Sequence, residues 1–274
     1  MAVVAISRKV GSYGDEIAAL VAQRLGYRLV DRERVHRLAQ ECDDEFRRVC
    51  AVFEAEEGQG GLWEHLVFGD PAHTALFAAL NLELAAQGDV VLVGRGAQVV
   101  LQGVPGVFKA RIVAPKALRV ERIMALRGLG QEEALDYVSR HDEQRRALIQ
   151  SVFRADLGDW SLYDLVLNTA GLAKEAAAEV IVRGVELMPA PADPAALGQS
   201  LKDRAFAKRL ESALKRRILT SGYHDIQVTA RGGAITLNGV LADRRSKEKA
   251  ERIARELPGV TSVDNQLKFT DLSF

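Results

Sequence analysis

Residues 2–25 read AVVAISRKVGSYGDEIAALVAQRL, and the fold turns on how this stretch divides. Val3–Ser7 is a short apolar run that ends in a glycine-containing turn. From Asp15 to Leu25 the apolar residues Ile17, Ala18, Leu20, Val21 and Leu25 share one helical face, and Gly26 ends the helix. Strand, turn and helix in this order place backbone N–H groups and a helix N-terminus beside the end of a strand, a combination that suits phosphate. The phosphate loop G-x-x-x-x-G-K-[ST] is not present: Arg8 stands for its first glycine and no Lys-Ser/Thr pair follows. Two readings stay open on these residues alone. Ser7 to Asp15 either cradle a phosphate or form a glycine turn with Ser12 capping the helix.

Working outward, the same grammar repeats. Arg28–Asp31, Val90–Val93, Lys109–Ala114 and Leu165–Asn168 are further strand candidates. Helical patterns fill Glu33–Phe53, His73–Gln87, the residues after Pro115, and Lys174–Leu187. Continuous apolar strands separated by helices predict an α/β fold with a parallel sheet covered on both faces. Gly94-Arg95-Gly96 follows the third strand. It is not a dinucleotide fingerprint, since Val99 stands where the third glycine belongs. Arg95 lies at a strand's carboxyl end, where it serves either a phosphate or a neighbouring carbonyl or carboxylate. A scatter of arginines follows over two helices: Arg119, Arg122 and Arg127, then Arg140, Asp142, Arg145 and Arg146. Arg119 and Arg122 share a face. The group is either a phosphate-shielding lid or a solvated helix surface.

The chain changes character at residues 189–200. Pro189, Pro191 and Pro194 favour extended backbone over helix, which makes this segment a linker between a domain at 1–188 and one at 201–274. Charge agrees: residues 1–200 carry a net of −6 and residues 201–274 a net of +6, within a chain of 274 residues and zero net charge. After the linker the expected order is helix (Arg204–Leu219), two alternating strands around Gly232-Gly233, helix (Ala250–Leu257) and strand (Val263–Phe269), a small α+β module.

Composition excludes several classes. At 48% hydrophobic and 27% charged residues the chain is an ordinary globular one. No apolar run approaches the roughly 18 residues of a transmembrane helix. The amino terminus lacks the order of a secretory signal. Cys42 and Cys50, on one helix, would lie roughly 12 Å apart, too far for a disulfide, so a reduced, cytoplasmic setting is expected. The five histidines show no zinc spacing, no G-x-S-x-G elbow occurs, and Asp43-Asp44 sits in a charge-rich helical stretch.

Four motifs in one order carry a resemblance: AISRKVGSYGDEIAALVAQRLGYRLVDRE, DVVLVGRGAQVVL, RIVAPKALRVERIMALRGLGQEEALDYVSRHDEQRRALI and SLYDLVLNTAGL. Over about residues 1–188 the chain resembles the cytidylate kinase-like family, a branch of the P-loop nucleoside monophosphate kinases. The resemblance implies a five-stranded parallel sheet and transfer of the γ-phosphoryl of ATP to CMP or a related monophosphate, with magnesium. It implies nucleotide binding at Ser7, Arg8, Lys9, Gly11, Ser12, Gly14 and Asp15, and places Asp31, Arg32 and Arg95 on the monophosphate side. Arg122 and Arg127 would lie near the lid, and Arg140, Asp142 and Arg145 would belong to the lid or its hinge. The chain departs from the family's Gly-Ser-Gly-Gly-Arg: Tyr13 replaces a glycine, Gly14 stands where the P-loop lysine belongs, and Asp15 puts a negative charge where relatives carry a positive one. Asp15 is accordingly the candidate magnesium ligand, and a degenerate sensor that binds nucleotide or phosphate without turnover is the alternative. Residues 202–270, with TLNGVLADRRSKEKAERIARELPGVTSVDNQL, look like a BON domain, which implies attachment to an anionic membrane surface or a protein partner. Few aromatics interleave the basic residues, so no nucleic acid is expected.

Overall fold

The computed structural model describes residues 2–30, 71–218 and 225–269. Asp31, Arg32, Cys42, Cys50, Asp43-Asp44, the expected helix Glu33–Phe53 and the glycine-rich stretch after it lie outside the described residues. The chain divides into two compact units, 1–68 with 87–194, and 69–86 with 195–274.

The first unit is built on five strands, β1 (Val3–Arg8), β2 (Arg28–Val30), β3 (Val90–Val93), β4 (Val107–Val113) and β5 (Leu165–Asn168). All pair in parallel, in the order β2-β3-β1-β4-β5. Apolar residues occupy both faces of β1 and β3 because helices cover both sides. One face packs Val4, Ile6, Val91, Phe108, Ala110 and Ile112 against Ile17 and Val21 of α1 (Gly14–Leu25) and Ala178, Ile181 and Val185 of α6 (Lys174–Leu187). Gly184 of α6 belongs to this fit, since a Cβ there would meet the Phe108 ring at 2.5 Å. Between β3 and β4 runs a single helical turn, α3 (Ala97–Val100); after β4 come α4 (Lys116–Arg127) and α5 (Gln131–Phe153). These two helices form a small core of their own from Val120, Ile123, Ala134 and Val138. Because the sheet is parallel, the ends of β1, β3, β4 and β5 that feed Lys9, Gly94, Ala114 and Thr169 lie along one edge, where open α/β sheets bind ligands.

The second unit takes α2 (Pro71–Ala86), which lies between β2 and β3 in sequence, together with α7 (Pro194–Ile218). Helix α2 is apolar nearly all round, with Phe77, Leu80, Leu82 and Leu84 buried, as expected of a helix covered on every side. Its Glu83 receives a two-pronged pairing from Arg209 of α7, Nη2 to Oε2 at 2.8 Å. Strands β6 (Asp225–Arg231) and β7 (Ala234–Leu241) form the expected hairpin, turning on Gly232 and Gly233 at φ 56° and 85°. After α8 (Arg244–Glu256), β8 (Ser262–Asn265) and β9 (Lys268–Phe269) both pair in parallel with β7. The single strand expected over Val263–Phe269 is thus interrupted, and Gln266 N–H reaches the Leu237 carbonyl at the break. The core closes on itself through Leu210, Leu214, Ile226, Ile235, Leu237, Ile253 and Leu267.

The proline stretch is shorter than its composition suggests. Pro194 opens α7, so the helix expected from Arg204 starts ten residues earlier. Proline is tolerated in a first helical turn, where its missing N–H has no helical acceptor to lose.

Candidate functional site

The chain between β1 and α1 is held by an unusual set of donors. Arg145 Nη1 donates to the Arg8 carbonyl at 2.6 Å, and Ser12 Oγ to that of Lys9 at 2.6 Å. Arg119 Nη1 reaches the Val10 carbonyl at 3.2 Å, Arg122 Nη1 that of Gly11 at 3.2 Å, and Thr169 Oγ1 that of Ser12 at 3.1 Å. Ile17 N–H takes the Tyr13 carbonyl at 2.9 Å. Six consecutive carbonyl oxygens are therefore tied back. The N–H groups of Gly11, Gly14, Asp15 and Glu16 have no acceptor among the described residues. A backbone polarised in this sense, opening onto a helix N-terminus, is suited to an anion.

Sequence explains the shape. Gly11 sits at φ 73°, and a Cβ there would meet the Arg119 carbonyl at 2.8 Å. Gly14 faces the Arg8 side chain, whose Cβ would be 2.3 Å from an added methyl. Tyr13, not Ser12, is the residue before α1; it adopts φ 61° with no side-chain cap. The Ser12 hydroxyl turns inward to Lys9, so the capping role expected of it is not taken up.

The basic residues divide into holders and liners. Arg119 is 1% exposed. It forms a two-pronged pair with Asp142, at 3.1 and 2.7 Å, and its Nε binds the Ala114 carbonyl at 3.1 Å. A solvated helix face is therefore the wrong description of α4 at this residue. Lys9 lies 3.7 Å from the same carboxylate. Arg122 bonds Thr169 through Oγ1 at 3.0 Å and the carbonyl at 2.8 Å, and stacks 4.0 Å from the centre of the Tyr13 ring. The ammonium of Lys174 lies 5.1 Å from the same ring. Arg127 packs over Tyr137 at 4.5 Å.

A cleft of about 1000 Å³ opens beside this loop. Its lining includes Arg8, Lys9, Asp15, Arg122, Arg127 and Arg145. Arg140 is not brought to it: its guanidinium pairs with Asp136 at 2.5 Å on an exposed face. Arg95 stands at the end of β3 with φ 56°, between Gly94 and Gly96, and is likewise absent from the lining. Asp142 contributes through Arg119 and Lys9. Asp15, the candidate metal ligand, has a side chain 67% exposed and is held by Arg8, whose Nε and Nη2 reach Oδ1 at 3.0 and 2.9 Å. Ser7 is buried and receives a bond from Arg111 Nη1 at 2.8 Å.

His141 lies in the same cleft beside Tyr137, with ring centres 3.9 Å apart. Burial, reinforced by Arg145, Arg127 and Arg140, pushes its pKa down to about 3, so the imidazole is neutral at physiological pH. Sequence reasoning missed His141, Tyr13 and Thr169. Tyr13 was visible only as a departure from glycine, and a lone threonine after β5 carries no local signal.

Comparison with known proteins bears on the family and the fold. Residues 3–171 match the model of the cytidylate kinase-like family and residues 206–271 that of the BON domain. The chain is 29% identical to a cytidylate kinase of Ignicoccus hospitalis over 184 residues, 67% of this chain and 98% of that one. It is 27% identical to a cytidylate kinase of Pyrococcus horikoshii over 106 residues, covering 39% of this chain and about half, 54%, of the relative's length. A crystal structure of an uncharacterized protein from Eubacterium ventriosum shares the fold, with a TM-score of 0.52 and 19% identity over 68% of this chain and 99% of that one. With its model spanning residues 3–171, the chain belongs to the cytidylate kinase-like family and carries a BON domain behind the kinase-like region.

Proposed function

We propose that the chain binds ATP at the loop Arg8–Gly14 and transfers its γ-phosphoryl to a CMP-type nucleoside monophosphate. The observation that carries this reading is the polarity of the loop: its carbonyls are tied back by Arg145, Arg119, Arg122, Ser12 and Thr169, while N–H groups at Gly11 and Gly14–Glu16 keep no acceptor among the described residues. Phosphoryl transfer asks mainly for positioning and charge stabilisation. Lys9, Arg127 and Arg8 line the cleft to supply the charge. Arg122, Arg119 and Arg145 fix the loop, a positioning role. Magnesium, when bound, neutralises charge on the phosphate oxygens. Among the described residues no three His, Cys, Asp or Glu side chains gather to hold a metal ion. The fit is therefore to a magnesium carried chiefly by phosphates and water, with Asp15 as its protein carboxylate once Arg8 releases it. Acceptor contacts fall to Arg95, with Asp31 and Arg32 outside the described residues.

The test is a coupled assay with ATP and CMP, dCMP or UMP as acceptors. Turnover with CMP or dCMP supports the reading. ATP binding without turnover on any acceptor selects the second reading, a nucleotide sensor, which the Arg8–Asp15 pair and Gly14 at the lysine position favour. The family and the absence of a membrane-length apolar helix among the described residues are consistent with a cytoplasmic setting. We assign the BON region, from α7 at Pro194 onward, to a domain separate from the kinase-like region, supported by its self-closed core; a 194–274 fragment that unfolds without cooperativity would overturn this. The BON domain, in a segment of net charge +6, is proposed to engage an anionic membrane or a protein partner. Vesicle binding that weakens with added salt supports the former.

A further inference from the structure

Helix α2 belongs to the kinase-like region by sequence and to the BON-bearing unit by packing. The family match at residues 3–171 spans it, whereas residues 69–86 form one compact unit with 195–274. The helix that receives it, α7, has two buried faces. Ala207, Leu210, Leu214 and Ile218 close the core of the BON domain. Gly198, Leu201, Ala205 and Ser212 are buried too but lie outside that core. With Arg209 they recur every three or four residues, a second stripe along the helix. From this stripe Arg209 holds Glu83 of α2 in the two-pronged pair. The BON match begins only at residue 206, so the half of α7 that carries Gly198, Leu201 and Ala205 lies outside both matched regions.

The carboxyl end of α2 is fixed to the parallel sheet. Only Gln87, Gly88 and Asp89 separate it from β3. Gly88 and Asp89 both adopt left-handed backbone, at φ 67° and 46°, uncommon for a residue with a Cβ. Asp89 is held twice: its Oδ1 accepts the Ala2 N–H at 3.1 Å, and its carbonyl accepts the Arg28 N–H at 3.0 Å. A three-residue connection tied to the amino terminus and to β2 has little slack, so a displacement of α2 is passed to the start of β3. Strand β3 is buried throughout and carries Arg95 just past its other end. Packed elements of this kind move as units rather than deform.

We infer that α2 couples the BON-bearing unit to acceptor binding: seated on α7, it holds β3 and Arg95 in the conformation that takes the monophosphate. Arg95 as an acceptor contact rests on the function proposed above, and the test separates the two. Full-length wild type, Arg209→Ala, Glu83→Ala and the double variant are titrated calorimetrically with CMP and with ATP. Hydrogen exchange of wild type is followed with each ligand. Neither Arg209 nor Glu83 lines the cleft beside the loop. Each single variant should weaken CMP about fivefold or more and leave ATP within about twofold. The double variant should lose no more than the larger single loss, because the two residues act as one pair. Coupling is reciprocal, so CMP should slow exchange in residues 71–86 and 198–212 of wild type, and ATP should not. CMP affinity unchanged in all three variants, or exchange in both segments unmoved by bound CMP, would overturn the coupling and leave the proposed function standing. CMP and ATP weakened alike, with a lowered melting temperature, would overturn it by marking the pair as a structural strut. A wild type that binds no CMP at all would remove the acceptor assignment itself, and the coupling with it.

Discussion

The loop edge of the first unit and helix α8 of the second are both rich in arginine, and they use it in opposite ways. At the loop, Arg119 is buried against Asp142 and the backbone, and Arg122 and Arg145 hold carbonyls. On α8, Arg244 pairs with Glu248 and Arg255 with Glu251 one turn apart; the first pair is 77% and 65% exposed. A guanidinium in water exchanges one set of hydrogen bonds for another and gains little. One taken from water must be matched, and once matched it fixes what it touches. The same residue type therefore builds a rigid loop in one unit and a solvated surface in the other.

That contrast can be broken most severely at Arg119. Arg119→Met leaves Asp142 and the Val10 carbonyl without their buried donor and should cost about 3–5 kcal/mol, Lys9 drawing it toward the lower end. Denaturant unfolding of the full chain measures this; a loss under about 1 kcal/mol would place Arg119 with the surface arginines. Gly11→Ala comes next, at about 1–3 kcal/mol, from a φ of 73° and a Cβ 2.8 Å from the Arg119 carbonyl. It should weaken ATP along with stability.

His141 gives a pH test. Its folded pKa, about 3, lies below the unfolded 6.5, so the unfolded chain binds the proton first. Its contribution is fully present above pH 6.5 and is lost as pH falls toward 3. His141→Phe should flatten the stability curve across that window, and the His141 ring signal should show no titration near pH 6.5 in an NMR pH series. In the second unit Asp243 has the same sign: its carboxyl accepts the Ser246 N–H at 2.7 Å and is held below its ordinary 3.8, so α8 loses this cap only in more acidic solution. The smallest effect belongs to Arg244→Ala, within about 0.5 kcal/mol.

The sequence showed the strands, the glycine that ends α1, the hairpin at Gly232-Gly233 and the position of the loop, because each rests on local periodicity or backbone freedom. What it hid depends on distant partners. Arg119 and Arg122 share a face by spacing alone, but that this face meets the Val10 and Gly11 carbonyls requires α4 to return across the sheet edge. Arg140, with the same composition around it, points away to Asp136. Thr169, joining Arg122 to Ser12, lies 157 residues from the latter. The interrupted last strand and the assignment of α2 to the second unit are likewise set by packing. Pro194 looks like a breaker in sequence, because its tolerance at a helix start depends on where the helix begins.

In the proposed function the Arg8–Gly14 loop presents its N–H groups to nucleotide phosphates while Arg8 is held by Asp15. Calorimetric titration of ATP, with and without magnesium, into wild type, Arg8→Ala and Asp15→Asn tests it directly. Binding to wild type should be saturable but weak, with further loss in Arg8→Ala and tighter metal-free binding in Asp15→Asn as Arg8 is released to the phosphates. Loss of the magnesium-dependent part in Asp15→Asn would assign Asp15 to the metal. Binding to wild type that is unchanged in both variants, or no binding at all, would rule this out and move the phosphates to another part of the molecule.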